Sequence, residues 1–189
     1  MDNTKSKIFA AATDLFVQKG FSGTSISDIA RRAKINQSLI YHHIGNKQAL
    51  WAEVKKQLIE QSQISPLIPE EFQDFKEFVA FIIQQRLQLY ASDSRIGRLI
   101  QWQMLEEKGE KLIGSMAMTP DNWIQAVEKF QKNGVVSRDF PAHHIALFLY
   151  SAINGLILGT HKLFSLDESE NHTYIQMIAD CMGQFFEKK

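Results

Sequence analysis

Thr24-Ser25-Ile26-Ser27-Asp28-Ile29-Ala30-Arg31-Arg32-Ala33-Lys34-Ile35-Asn36-Gln37-Ser38-Leu39-Ile40-Tyr41-His42-His43-Ile44-Gly45-Asn46-Lys47 holds two very short helical segments with almost nothing between them. Ser25 and Asp28 form an S-x-x-D capping box, so a helix is predicted from about Ile26, with Ile29, Ala30 and Ala33 on its apolar face. Ile35 plugs the turn, and Asn36 caps the next helix, whose inward residues are Ile40 and Ile44. That second helix is too short and too polar on one face to exist for core volume. Its outer side carries Gln37, Ser38, Tyr41, His42 and His43, which can exchange hydrogen bonds with a DNA surface, and Lys47 follows at a place suited to a phosphate.

Upstream, Ile8, Ala11, Ala12, Leu15 and Phe16 recur at the spacing of one buried helical face, and Gly20 stops that helix. Three helices in 47 residues are small for an independent core. A fourth helix, capped by Asn46 and running to about Gln61 with Leu50, Trp51, Val54 and Leu58 inward, is therefore expected to tie them to the rest of the chain. Residues 1–47 carry seven Lys and Arg against three Asp, a balance of +4, while residues 48–189 carry fourteen against eighteen, a balance of −4. A basic N-terminal unit on an acidic body fits attraction to phosphates, and it equally fits a solvated basic face.

These residues resemble the TetR (AcrR-like) family of transcriptional regulators. The resemblance runs from Ile8 to Leu50 through Ala11-Ala12, Leu15-Phe16, Gly20, Thr24, Asp28-Ile29-Ala30, Ala33, Ile35, Tyr41-His42 and Asn46-Lys47. It implies an N-terminal DNA-binding domain, 1–47, and a helical ligand-binding and dimerisation domain, 48–189. It further implies a homodimer on double-stranded DNA with a palindromic operator, released by a small-molecule inducer. Carried over by position, Gln37 and His43 would touch base edges, Tyr41, His42 and Lys47 phosphates, and Thr24 and Ser25 the backbone of the flanking strand. Three positions depart from the family pattern. Lys34 and Ser38 stand where glycines are usual, and Leu39 replaces a hydroxyl residue. A left-handed backbone at Lys34 would cost roughly 1 kcal/mol. Leu39 has two readings, a thymine methyl contact or packing against the first helix.

The rest of the chain reads as helix: about 70–91, 93–107, 120–132, 141–164 and 170–187, with the Pro66/Pro69 segment, Thr119-Pro120, Asn133-Gly134 and Phe140-Pro141 as breaks or starts. The Val135-Val136 pair is too isolated for a strand, so the expected fold class is all-α. With 44% hydrophobic residues, 13 of them Phe, the chain can bury one extended core or two abutting ones.

Residues 145–160 contain no charge but are shorter than the roughly 20 residues that span a bilayer, so no membrane segment is expected. A helix apolar nearly all round calls for burial on every side. By the resemblance it pairs with its copy in a partner, with Ala152, Leu156, Ile178, Met182 and Phe185 at the dimer interface. Trp102, Met104, Trp123 and Phe148 are candidates to line an apolar inducer pocket, with ordinary core packing as the alternative for each.

Enzyme chemistry finds little support, and no cofactor is implied. There is no Gly-rich phosphate loop, His143-His144 are expected to point apart, and Glu168, Glu170 and His172 read as a polar loop rather than a metal site. A single Cys181 fits a reducing cytoplasm, and no signal-like N-terminus precedes the first helix. The expected function is a cytoplasmic, ligand-responsive repressor. The alternative is a helical interaction module that keeps the helix-turn-helix scaffold without specific DNA binding.

Overall fold

The computed structural model describes residues 3–64, 72, 74–106, 120–157 and 168–188. Among these the protein is all-α, with nine helices: α1 (Asn3–Lys19), α2 (Ile26–Ala33), α3 (Gln37–His43), α4 (Lys47–Gln61), α5 (Phe75–Ser92), α6 (Ser94–Leu105), α7 (Pro120–Lys132), α8 (Ala142–Ile157) and α9 (Glu168–Phe186). The only β feature among the described residues is an isolated bridge between Val136 and Glu187. The sequence places α7 correctly at both ends. The part of the predicted 141–164 helix beyond Ile157 lies outside the described residues. The last helix begins at Glu168, two residues before the expected 170, so Glu168, Glu170 and His172, also read as a polar loop, lie in the first turns of α9.

The helices gather into two compact units, residues 1–63 with 92–116, and residues 64–91 with 117–189. In the first, α1 is the common strut, since α2, α4 and α6 all pack on it. Its predicted face is buried: Ile8, Ala11, Ala12, Leu15 and Phe16 are at most 6% exposed. Phe16 meets the Trp51 ring edge-on at 5.0 Å, and Phe21 meets the same indole at 5.7 Å, so the residue after the helix stop folds back over it. Ile96, Leu99 and Ile100 of α6 are buried as well.

The second unit is built on phenylalanine. Phe75 and Phe78 of α5, both fully buried, pack with Phe130 of α7, and Phe75 also meets Phe186 of α9. Ile145, Leu149 and Ile153 of α8 and Ile178, Ala179 and Met182 of α9 complete the core. Glu187 at the end of α9 accepts the backbone N–H groups of Phe75 and Lys76, at 3.0 and 3.1 Å, capping the start of α5 where the helix's own geometry leaves donors unmet.

One buried cation stands out in the first unit. Lys55 of α4 is 3% exposed, donates to Gln103 Oε1 of α6 at 2.9 Å, and lies 5.6 Å over the Trp51 ring. Burial pushes its ammonium down from 10.5 to about 8. Below pH 8 the charge is present in the folded and unfolded chain alike, and the cost of burying it is fully expressed. Between pH 8 and 10.5 the folded protein loses this proton before the unfolded chain does, so Lys55 becomes less costly as pH rises. Relative to a Lys55→Met variant, wild-type stability should therefore improve by up to about 3 kcal/mol between pH 7.5 and 10.5 in urea unfolding. A difference that stays flat across that range would show that the ammonium is hydrated.

Candidate nucleic-acid interface

The helix-turn-helix is assembled from caps. Ser25 Oγ accepts the Asp28 N–H at 3.0 Å, and Asp28 Oδ2 accepts from Ser25 N–H at 3.3 Å and from Ser25 Oγ at 2.6 Å, so the predicted capping box is complete. The Ser25 hydroxyl, joined by Arg31, holds the Asp28 carboxyl below its ordinary value. At the other end of α2, Lys34 is left-handed at φ 55°, with Ile35 N–H on Ala30 O at 3.1 Å and Lys34 N–H on Arg31 O at 3.3 Å. That bond pair is a Schellman stop, which closes α2 in two residues and sends the chain directly into α3. The left-handed residue the motif requires is a lysine, and its side chain is exposed.

Asn36 Oδ1 accepts the Ser38 N–H at 3.0 Å and starts α3, where Ile40 is the one fully buried residue. Gln37, Ser38, Leu39, Tyr41 and His42 are exposed, and His43 is half-buried with its ring 5.1 Å from that of His42. Leu39, at 38% exposure, stands on the outer side of α3 rather than in the core under α1. A seven-residue helix thus presents amide, hydroxyl, phenol, imidazole and aliphatic groups on one rigid surface. Those are the groups that read and hold a duplex.

Two expected backbone contacts take a different place. Thr24 is 2% exposed and its hydroxyl donates back to Gly20 O at 2.8 Å, with Leu15 O at 3.2 Å. This corrects the expectation of a strand contact: the side chain is turned inward and ties the following turn to the end of α1. Lys47 directs its ammonium to Phe21 O at 3.0 Å and Thr24 O at 2.9 Å, 4.3 Å over the Phe21 ring. Its position gives it a structural task whatever it does with phosphate. On α2, Arg31 pairs with Asp28, and Arg32 with Asp14 of α1 at 2.6 Å.

The remaining candidates divide between the two units. Trp102 and Met104 lie on α6 in the first, where the Trp102 indole N–H donates to Val17 O at 3.0 Å and Met104 is 46% exposed. Trp123 is buried in the second unit, edge-on to Tyr150 at 5.8 Å with the Arg86 guanidinium 5.5 Å over its ring, and among the described residues its indole N–H has no partner. Phe148, 57% exposed, lines an apolar groove of about 500 Å³ with Phe140, His144, Cys181 and Phe185.

The proposed dimer residues need correction. Ile178 and Met182 are 7% and 1% exposed and belong to the core of their own unit, and Ala152 is half-buried against that core. The side chain of Leu156 lies outside the described residues. Of the set, Phe185 faces outward at 66%; Met177, at 50% on α9, and Leu147, at 61% on α8, are exposed as well. Both helices are apolar on several sides, so periodicity alone left the phase of α9 open by about one residue, roughly 100° of rotation.

His143 and His144 do not point apart; their rings meet at 4.3 Å. Among the described residues no group of three His, Cys, Asp or Glu is placed to hold a metal ion, and no helix is long and apolar enough to cross a membrane.

Comparison with known proteins reinforces this picture. Residues 8–54 match the family model of bacterial regulatory proteins, tetR family. The HTH-type transcriptional repressor SCO4008 of Streptomyces coelicolor is 28% identical over 159 residues, covering 82% of this chain and 79% of the relative. The HTH-type transcriptional repressor Rv3405c of Mycobacterium tuberculosis is 45% identical over 49 residues, 26% of each chain. Among solved structures, a TetR family transcriptional regulator from Chloroflexus aurantiacus superposes with a TM-score of 0.70 at 16% identity, covering all of this chain and 95% of that one. NalD of Pseudomonas aeruginosa, the secondary repressor of the MexAB-OprM multidrug efflux pump, gives 0.66 at 19% identity with 98% of both chains covered. The relatives in sequence are regulators and not enzymes.

The Schellman geometry has a measurable consequence. Lys34→Gly removes the left-handed strain and should stabilise the protein by about 1 kcal/mol in chemical unfolding. A loss of stability would show that the lysine side chain contributes more than its backbone costs.

Proposed function

Since the chain belongs to the TetR family of bacterial regulators, and is accordingly a DNA-binding transcriptional regulator, we propose that it acts as a cytoplasmic homodimeric repressor. It binds a palindromic operator and leaves it when a small, mostly apolar ligand is bound. The observation that carries this reading is the outer face of α3: five exposed side chains of base-reading and phosphate-holding chemistry, on a helix fixed by the Schellman stop and the Asn36 cap. Residues 1–47 form its DNA-binding domain and residues 48–189 its ligand-binding and dimerisation domain. Gln37 and His43 read bases. Tyr41 and His42 meet phosphates, with Ser25, Ser38 and Leu39 alongside.

Leu147, Phe148, Met177 and Phe185 support the dimer. Large apolar side chains exposed on α8 and α9, with Phe148 and Phe185 lining one groove, are costly to leave in water, and a twofold copy of the same surface covers them. In such a dimer the two α3 helices enter successive major grooves about 34–36 Å apart. A ligand that favours another spacing releases the operator, and the operator weakens the ligand by the same factor.

Selection of bound sequences from random DNA should yield an inverted repeat. Capture of no sequence above background, together with no binding to random duplex at low salt, would sink the repressor reading in favour of the interaction module. On the selected operator, Gln37→Ala should cost about 1–3 kcal/mol and relax preference at one position per half-site. Equal loss on every duplex would remove Gln37 from base reading. Leu147→Glu should convert the dimer to a monomer in light scattering, and an unchanged mass would move the interface elsewhere.

A further inference from the structure

The C-terminal end of α6 closes on the DNA-facing motif at a point that base reading does not use. Trp102 and Glu106, four residues apart, both reach the turn after α1. The Trp102 indole holds Val17 O, while the Glu106 carboxylate accepts three contacts from Ser22: the backbone N–H at 3.0 and 3.1 Å to its two oxygens, and the hydroxyl at 2.8 Å. Gly20 makes room for this. A Cβ there would stand 2.6 Å from Glu106 Oε1 and 2.8 Å from the Trp102 ring, and its φ of +72° disfavours a side chain independently. Lys47 binds the carbonyls of Phe21 and Thr24 in the same turn.

Residues 21–24 are therefore gripped twice, by a cation at the start of α4 and an anion at the end of α6. The next residue is Ser25, the N-cap of α2. A turn fixed by charge-assisted hydrogen bonds to its backbone sets where α2 begins, and the short Schellman link passes that placement to α3.

We propose that Glu106 is a positioning residue for operator recognition: its carboxylate fixes the Phe21–Thr24 turn, so that α6 sets the presentation of α2 and α3. It touches no base and acts through Ser22. This makes α6 a mechanical input to the motif, separate from the apolar core it also contributes. The inference rests on the DNA-binding reading above.

The experiment measures affinity for the selected operator and for random duplex across a salt series, with melting temperature as a control on folding. Glu106→Ala should weaken operator binding about tenfold while random-duplex affinity stays within about twofold and the salt slope is unchanged, because phosphate contacts survive when register is lost. Glu106→Gln keeps an acceptor for Ser22 without the charge and should recover most of the loss. Ser22→Ala should show a smaller loss, and none beyond that of Glu106→Ala when the two are combined.

Operator binding by Glu106→Ala equal to wild type overturns the proposal. So does a loss shared equally by random duplex, a Gln variant no better than Ala, or full additivity of the pair. If Glu106→Ala fails to fold, Glu106→Gln and Ser22→Ala decide by the same criteria: operator-selective loss with Ser22→Ala supports the proposal, and wild-type selectivity overturns it. Wild-type protein that binds neither DNA overturns the underlying reading instead.

Discussion

A helix that ends on a left-handed residue leaves carbonyls to satisfy and a turn to hold, and at the C-terminal end of α1 both tasks fall on Gly20 to Thr24. Thr24 turns its hydroxyl back onto the helix, Phe21 covers Trp51, and Ser22 is bound by Glu106. Were α1 to continue, or to end a residue later, Phe21 would leave the aromatic cluster. Ser25 would then no longer stand where its capping box can start α2. The first unit depends on this stop more than on any one apolar residue, because Phe16, Phe21 and Trp51 come together through it.

From that stop the construction of the exposed face of α3 is a matter of economy. α3 has seven residues and one fully buried side chain, too little apolar area to hold it in place unaided. Its rigidity comes from its ends: a Schellman turn before it, an Asn36 cap at its start, and another asparagine, Asn46, which accepts the Ala49 N–H at 2.8 Å to start α4 just after it. A helix held by caps leaves its outward positions free of any packing task. That explains how a helix so poor in core residues can carry Gln37, Ser38, Tyr41 and His42 on a fixed frame.

The second unit follows another logic. Phe75, Phe78, Phe130 and Phe186 fill its interior with rings in edge-on and stacked contact, which bury large area with little loss of side-chain freedom. Its surface nevertheless keeps Leu147, Phe148, Met177 and Phe185 in water. The apolar richness of α8 thus has two destinations, the intramolecular core through Ile145, Leu149 and Ile153 and an outer patch through Leu147 and Phe148.

The sequence by itself determined the all-α class, the start of α2 from its capping box, the asparagine caps of α3 and α4, and the polar outer face of α3. Each is a local matter, decided by hydrogen bonds within four residues or by a 3.6-residue period. Family resemblance is legible there for the same reason, since spacing in a helix-turn-helix is fixed by local geometry. Only the tertiary structure decided that Thr24 and Lys47 serve the turn, that Trp102 belongs with α1, that Ile178 and Met182 face inward, and that Glu106 meets Ser22 across 84 positions of chain. No local pattern specifies those, because a helix apolar on several sides has no marked phase, and a carboxylate's partner depends on where a distant turn is folded.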